Sequence, residues 1–246
     1  GLTTSLYSVI FIDNNTGWVV GASSRILKTT NGGENWTPQT NLPFPNLSFV
    51  HFLDNNTGWV VGGSGIIIKT IDGGNNWTTQ TSGINNILYS VHFTDNNTGW
   101  VVGSSGKIIK TTNGGMNWIQ QTSGTPRFLY SVHFINDQTG WVVGNNGTGT
   151  NGTVLKTTNG GTNWILQESG TSKSLESVQF ADNSNGWAVG YQGTIIRTTN
   201  GGTNWITQTS GTDGNLNSMH FINPSIVWAV GEGGIILKYN SSALLV

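Results

Sequence analysis

The chain has 246 residues, a formal net charge of −1, charged side chains at only 9% of its positions, and no cysteine. Ten lysines and arginines spread along this length do not make the basic surface that phosphate neutralisation requires, so a nucleic-acid partner is excluded. No apolar run approaches the 18 or more residues of a membrane span, which argues against membrane insertion, and the lack of cysteine excludes disulfides and thiolate chemistry.

One unit recurs along the whole chain. Its first tryptophan falls at Trp18, Trp59, Trp100, Trp141, Trp187 and Trp228, so the steps are 41, 41, 41, 46 and 41 residues. A period of about 40–45 residues is typical of one blade of a β-propeller. The repeats start near residues 6, 47, 88, 129, 175 and 216, and they predict a single domain over residues 1–246.

Each repeat predicts four short antiparallel strands. In the third copy these strands cover residues 88–94, 100–102, 107–112 and 118–122, and turn residues such as Asp-Asn-Asn-Thr-Gly and Asn-Gly-Gly separate them. Asn-Gly and Gly-Gly tolerate the positive φ that tight hairpins require. The predicted fold is therefore an all-β, six-bladed β-propeller with four antiparallel strands in each blade.

The last repeat lacks a recognisable fourth strand, because no Asn-Gly-Gly-x-Asn-Trp follows Lys238. Residues 2–5 precede the first repeat much as residues 121–123 lead toward the fourth. We therefore expect the N-terminal strand, residues 2–5, to close the last blade and remove an exposed sheet edge.

All eleven tryptophans occupy two positions of the repeat, and this periodicity favours a structural role for each of them. Burial of one such side chain removes about 150–250 Å² from water. The predicted structural set is Trp18, Trp36, Trp59, Trp77, Trp100, Trp118, Trp141, Trp164, Trp187, Trp205 and Trp228.

The turn before each fourth strand has the form Thr-x-Asn-x-Gly-x-Asn-Trp, with Asp72 replacing the first Asn in the second copy. It resembles the Asp-box, or bacterial neuraminidase repeat. With the preceding Gly-Trp-x-Val-Gly, the whole unit resembles the propeller family of the photosystem II stability and assembly factor. That resemblance implies a non-enzymatic assembly chaperone, usually with seven blades and a basic patch that meets a client protein. This sequence instead predicts six blades and has only three arginines.

The sequence predicts no catalytic residues and no cofactor. Sialidase chemistry, as the Asp-box resemblance frames it, needs an arginine cluster, a Tyr-Glu pair and an acid on one face. Arg197 stands at a repeated basic position that is otherwise lysine, which leaves Arg25 and Arg127 in different contexts. No pair of carboxylates stands out for glycoside hydrolysis.

Four histidines share one position of the first strand and raise the question of a metal site. They are His51, His92, His133 and His220. Each lies one period from the next rather than at close ligand spacing, so hydrogen-bonded packing residues are favoured and no metal is expected.

The copies differ most in the turns between strands two and three and in the links between blades, which should project from one side of a propeller. We call this side the variable face. It includes the insertion within residues 145–152 and the links 41–45 and 126–128. The candidate binding residues there are Tyr7, Tyr89, Tyr130, Tyr191, Phe44, Arg127, Phe128, Arg25 and Glu232. Aromatic and arginine side chains suit recognition, although neutral drift in exposed loops would also vary them.

These observations predict a non-enzymatic, extracytoplasmic scaffold that binds or assembles another protein. A carbohydrate-binding, lectin-like propeller with a tyrosine-rimmed mouth is one alternative, and a structural module of a larger cell-surface protein is another; a sialidase-like glycosidase is disfavoured. The richness in Asn, Thr, Ser and Gly is more usual of periplasmic, secreted or cell-surface proteins.

Overall fold

The computed structural model describes residues 4–39, 45–145, 152–223, 226–240 and 243–245. It contains six four-stranded antiparallel sheets, which are the six blades, and one-turn 3-10 helices connect the second and third strands of four of them. By its contacts the chain divides into two compact units, Gly1–Gln120 with blades 1–3 and Gln121–Val246 with blades 4–6. The prediction of an all-β, six-bladed propeller is confirmed, whereas the single domain stays a prediction.

In the first unit, blade 1 contains β1 (Leu6–Phe11), β2 (Gly17–Gly21), β3 (Ile26–Thr29) and β4 (Thr37–Pro38). Blade 2 contains β5 (Leu47–Phe52), β6 (Gly58–Gly62), β7 (Ile67–Thr70) and β8 (Thr78–Gln80). Blade 3 contains β9 (Leu88–Phe93), β10 (Gly99–Gly103), β11 (Ile108–Thr111) and β12 (Ile119–Gln121). The first strands of successive blades lie side by side, β1 against β5 and β5 against β9.

In the second unit, blade 4 contains β13 (Leu129–Phe134), β14 (Gly140–Gly144), β15 (Thr153–Thr157) and β16 (Ile165–Gln167). Blade 5 contains β17 (Leu175–Phe180), β18 (Gly186–Gly190), β19 (Ile195–Thr198) and β20 (Ile206–Gln208). Blade 6 contains β21 (Leu216–Asn223), β22 (Ile226–Gly231), β23 (Ile236–Asn240) and β24 (Ala243–Leu245).

The closure of the last blade differs from the prediction. The position beside β23 is occupied by β24, with Asn240 opposite Ala243, and not by residues 2–5. Only two residues separate these strands, so a local hairpin forms at a small cost in loop entropy. Of the predicted N-terminal strand, residues 1–3 lie outside the described residues. Thr4 and Ser5 are not in a strand, and the Ser5 carbonyl accepts the Ala22 N–H of blade 1 at 2.9 Å.

A stacked aromatic pair joins consecutive blades. The Phe52 ring of blade 2 stacks on Trp18 of blade 1, with centroids 3.7 Å apart and planes at 11°. Its other side lies against Gly58, where an added Cβ would stand only 2.6 Å from the ring. The same arrangement recurs at Phe93 and Phe180. The glycine of the repeated Gly-Trp dipeptide therefore leaves space for the phenylalanine of its own blade. The tryptophan stacks on the phenylalanine of the next blade.

The repeated basic residue of the third strand also joins blades. The Lys28 ammonium donates to the Gly73 carbonyl of the next blade at 2.9 Å and lies 5.2 Å from the Trp18 ring centroid. In blade 5, the Arg197 guanidinium stands 4.7 Å from the Trp187 ring and donates to the Tyr239 hydroxyl at 3.1 Å. These contacts make the basic position part of the packing between blades.

The two tryptophan positions differ in burial. Five second-strand tryptophans are completely or almost completely buried, namely Trp18, Trp59, Trp100, Trp141 and Trp187, whereas Trp228 is half-buried. Among the fourth-strand residues, Trp164 and Trp205 are buried, while Trp36, Trp77 and Trp118 are partly exposed. The second-strand ring is thus the main packing element between blades.

Candidate functional site

The predicted variable face corresponds to one edge of every blade. In blade 2, the Gly63 N–H donates to the Asn46 carbonyl before the first strand at 2.9 Å. The Gly65 N–H of the same turn donates to the Asn86 carbonyl in the link to blade 3 at 2.7 Å. In blade 5, the Tyr191 and Gly193 N–H groups make the same two bonds, to the Ser174 and Gly214 carbonyls. In these two blades the turn is therefore tied both to the segment before its own first strand and to the following link.

The opposite edge consists of turns that use their polar side chains internally. The Asp13 carboxylate accepts the N–H groups of Asn15 and Thr16 at 2.7 and 2.6 Å. These hydrogen bonds lower the pKa of Asp13. Asp54, Asp95 and Asp182 make the same pair of bonds. We call this side the repeat face.

The Asn-Gly-Gly turns on the repeat face are held in the same way. The Thr29 hydroxyl donates to Asn31 Oδ1 and accepts the Gly33 N–H, both at 2.9 Å. The Asn31 side chain in turn accepts the Asn35 N–H at 3.0 Å. The short polar side chains of this motif therefore stabilise a hairpin.

Three of the candidate binding residues lie in the described part of the first unit. Tyr7 is 54% exposed at the start of β1, and Tyr89 is partly buried at the same position of β9. Arg25 is half-buried in the turn of blade 1, and its Nε finds no hydrogen-bond partner among the described residues. Phe44 lies outside the described residues.

In the second unit, several candidates lie on one link and its neighbouring turn. The Arg127 guanidinium donates to Thr153 Oγ1 at 3.1 Å. The Phe128 and Tyr130 rings meet edge to face at 6.4 Å, and the Asn145 amide donates to the Tyr130 hydroxyl at 2.6 Å. Residues 146–151 of the insertion lie outside the described residues.

The two remaining candidates of the second unit lie in the turns of blades 5 and 6. Tyr191 and Glu232 are both exposed. Each backbone N–H donates to the link before its own blade, Tyr191 to the Ser174 carbonyl and Glu232 to the Asn215 carbonyl, both at 2.9 Å. Their backbone is therefore fixed while their side chains face solvent.

Sequence reasoning missed the asparagines that fix these turns. Asn46 Oδ1 accepts the Ser23 N–H at 3.1 Å, and Asn215 Oδ1 accepts the Gln192 N–H at 3.0 Å. Both stand directly before a first-strand leucine, which is the signal that could have revealed them.

The variable-face turns also contain the positive-φ residues that are not glycine. Among the described residues these are Ser23, Ser24, Ser64, Ser105 and Gln192, with φ between 52 and 61°. A left-handed backbone is costly for such residues and is often found where a loop has a binding role.

Two of the first-strand histidines, and the glutamine at the same repeat position, contact the backbone of the next blade. His51 Nε2 lies 3.2 Å from the Phe93 carbonyl of the next blade. His133 Nδ1 accepts the Phe180 N–H at 3.4 Å, and Gln179 Oε1 accepts the Phe221 N–H at 3.3 Å. In the part of the chain that is described, no group of three or more His, Cys, Asp or Glu side chains could hold a metal ion.

The burial of His51 predicts how the stability of the fold depends on pH. Burial lowers the pKa of His51 from its usual 6.5 to about 4. A depressed histidine pKa means that the neutral form stabilises the fold, so its contribution is present above pH 6.5 and is lost between pH 6.5 and 4. We expect His51→Gln, which copies Gln179, to reduce the loss in the free energy of unfolding over this range. Chemical denaturation at pH 7 and pH 4.5 measures the free energy of unfolding of the parent chain and of the variant. A variant that loses as much stability between these pH values as the parent chain would contradict the prediction.

An apolar cavity lies between blades 5 and 6. Trp187, Val189, Val227 and Leu237 form much of its wall, and Gln208 supplies a polar side chain. Ligand sites combine apolar walls with several placed polar groups, so this cavity is better described as a packing gap.

In the described part of the chain, no helix is long and apolar enough to cross a membrane.

The sequence model of the photosynthesis system II assembly factor YCF48 family matches residues 1–81, 77–168, 124–206 and 165–240. The chain belongs to this family. The resemblance of the repeat to the photosystem II stability and assembly factor family is thereby confirmed. No curated protein matches the chain.

Solved structures of the family are similar in fold. A YCF48 bound to D1 peptide is 21% identical, with a TM-score of 0.55 and coverage of 97% of this chain and 94% of that one. YCF48 from Cyanidioschyzon merolae is also 21% identical, with a TM-score of 0.53 and 98% of each chain covered.

Propeller enzymes are similar in fold as well. An ancestral GH74 enzyme is 18% identical with a TM-score of 0.77, and this chain spans 38% of its length. The GH74 xyloglucanase from Xanthomonas campestris is 12% identical with a TM-score of 0.75, and 44% of its length is spanned. At identities this low, the similarity shows a shared fold and indicates nothing about activity.

Proposed function

We propose that this chain is a non-enzymatic assembly factor that binds a segment of a partner protein on its variable face, in an extracytoplasmic compartment. The observation that carries the proposal is the match of the YCF48 family along all six repeats. A peptide ligand is the class favoured here because the similar YCF48 structure is described as bound to D1 peptide.

The chemistry of the variable face suits a peptide ligand. Exposed Tyr7 and Tyr191 offer large rigid rings, and Arg127 offers guanidinium donors in the link that also contains Phe128. Aromatic and arginine side chains are the commonest hot spots of protein interfaces. On the repeat face, by contrast, the aspartates and threonines already bond their own turns, which leaves fewer groups to recognise a partner.

The distribution of carboxylates supports a role without catalysis. Asp13, Asp54, Asp72, Asp95 and Asp182 accept backbone N–H groups in turns. Burial raises the pKa of Glu176, and the Ser174 hydroxyl donates to it at 2.9 Å. A glycosidase would need an acid with a raised pKa together with a second carboxylate on the opposite side of the bond. We therefore expect no turnover of sialosides or xyloglucan.

The extracytoplasmic location rests on composition alone, and secretion or display on the cell surface would be consistent with it. A role as a structural module within a larger surface protein is compatible with the same fold. A glycan ligand has no comparable support, so it is kept as an outcome of the test.

The proposal is tested by peptide binding. The binding affinity of peptides that tile the D1 protein is measured for the parent chain and for the Tyr191→Ala and Arg127→Ala variants. We expect at least one substitution to weaken binding by about fivefold or more, equivalent to about 1 kcal/mol. The matched controls, Asn14→Ala and Asn96→Ala on the repeat face, should bind as the parent chain does. Loss of binding in the controls alone, or binding on a glycan array with none to peptides, would overturn the proposal.

A further inference from the structure

Glu176 differs from the other carboxylates of the described residues. It is half-buried at the second position of β17, whereas Glu34, Glu168 and Glu232 are exposed. Of the seven aspartates, five accept backbone N–H groups in turns and the other two are exposed. Glu176 is therefore withdrawn from solvent without forming part of a turn.

Within the described residues, Glu176 has one hydrogen-bond donor and no cationic partner. The Ser174 hydroxyl donates to its Oε1 at 2.9 Å, and no lysine, arginine or histidine pairs with it. Burial raises the pKa of Glu176, and the Ser174 hydrogen bond opposes this effect only in part. A carboxylate that is partly removed from water remains costly until further donors or an opposite charge approach it.

Glu176 stands at a β-bulge that recurs in the described first strands. Between β17 and β18 the pairing register passes from Leu175 to Ser177, so no residue of β18 lies opposite Glu176. The residues that the register skips in the other blades are uncharged, namely Tyr7, Ser48, Tyr89, Tyr130 and Asn217. The bulge therefore forms without a carboxylate. Bulges often re-aim a side chain beside a binding site, and a locally unfavourable residue at such a place indicates a function.

Two tyrosines of the variable face belong to the segments next to Glu176. The Tyr191 N–H donates to the Ser174 carbonyl at 2.9 Å, and the Ser174 hydroxyl is the group that bonds Glu176. Tyr130 occupies the bulge of β13, the strand that packs against β17 within the second unit. Lysine and arginine combine a cation with an apolar stem that packs on aromatic rings. The surroundings of Glu176 therefore suit a basic side chain.

We propose that Glu176 binds a lysine or arginine side chain of the partner segment. The carboxylate accepts from the ammonium or guanidinium group and keeps its bond from Ser174, so its charge is compensated when the segment is bound. An acidic side chain at the same place is repelled, and Glu176 is thus a specificity-determining residue. This inference rests on the proposed function for the class of ligand, and it adds which side chain of the peptide is selected.

The test uses a library of short synthetic peptides in which each position in turn is lysine, arginine, norleucine or glutamate. At one position, we expect lysine or arginine to bind the parent chain about tenfold more tightly than norleucine, with glutamate weaker still. Glu176→Gln keeps the size of the side chain and should abolish this preference, while norleucine peptides bind it as they bind the parent chain. Glu168→Gln makes the same change at an exposed glutamate of the same unit and should keep the preference.

A double-mutant cycle separates a direct contact from a structural effect. Exchanging lysine for norleucine should weaken binding to the parent chain but not to Glu176→Gln, so the two losses are not additive. Circular dichroism verifies that each variant is folded. A preference for lysine that survives Glu176→Gln, or no preference for a cation at any position, would overturn the proposal.

The library does not derive from D1, so this proposal and the proposed function fail separately. D1 peptides that bind through Tyr191 or Arg127 with no preference for a cation would support the proposed function and overturn the role of Glu176. A preference for lysine that depends on Glu176, found while no D1 peptide binds, would give the opposite result.

Discussion

Replacing Trp59 by alanine is expected to lower the free energy of unfolding by about 3–5 kcal/mol. Trp59 is fully buried and stacks on Phe93 of the next blade, with ring centroids 3.6 Å apart. The Lys69 ammonium lies 4.9 Å from its ring centroid, so truncation removes both an aromatic and a cation contact. Urea denaturation followed by circular dichroism measures the change.

Trp228 provides the matched control because it occupies the same repeat position but is only half-buried. Trp228→Ala should lower the free energy of unfolding by less than half as much as Trp59→Ala, since less apolar surface is returned to water. Equal losses would mean that stacking between blades is not what makes the second-strand tryptophan important.

Replacing Gly58 by alanine is expected to cost about 3 kcal/mol, at the upper end of typical overpacking effects. The new Cβ would stand 2.6 Å from three atoms of the Phe52 ring. That ring is unable to retreat, because Trp18 stacks on its other side at 3.7 Å. Thermal or urea denaturation gives the size of the loss.

Gly17 is the matched control for this substitution. It faces the Phe11 ring, which is 43% exposed and meets Trp36 edge to face at 5.8 Å, so this ring has more room to move than Phe52. Gly17→Ala should therefore cost less than half as much as Gly58→Ala, although its Cβ also approaches the Ile10 carbonyl at 2.9 Å. A Gly58→Ala chain as stable as the parent would contradict the tight packing of the Phe52 ring between Trp18 and Gly58.

The blade was predictable from the sequence because its turn residues repeat. The predicted strand 88–94 corresponds to Leu88–Phe93, and the predicted strand 107–112 corresponds to Ile108–Thr111. Asn-Gly-Gly and Asp-Asn-Asn-Thr-Gly restrict where a strand can end, so the bounds agree within one residue. The prediction failed at β24, where Ala243–Leu245 forms a fourth strand without the motif that marks the other five.

The candidate binding surface was predictable only in outline. Hairpin geometry places the second turn of each blade beside the following link, and this follows from strand order. The contacts of individual side chains do not follow from it, because each depends on a partner distant in sequence. The Asn145 bond to Tyr130 and the Arg127 bond to Thr153 connect residues 15 and 26 positions apart, and neither pair recurs in another repeat.

The central claim is that a partner peptide is bound on the variable face, and hydrogen exchange with and without the bound peptide tests it most directly. Protection is expected in the variable-face turns and links of the unit that binds the peptide, around Arg25 in the first unit or around 126–130, Tyr191 and Glu232 in the second, with Asp13–Thr16 and its counterparts unchanged. Protection confined to the Asp-Asn-Asn-Thr-Gly turns of the repeat face, with no change at the variable-face turns, would contradict the account.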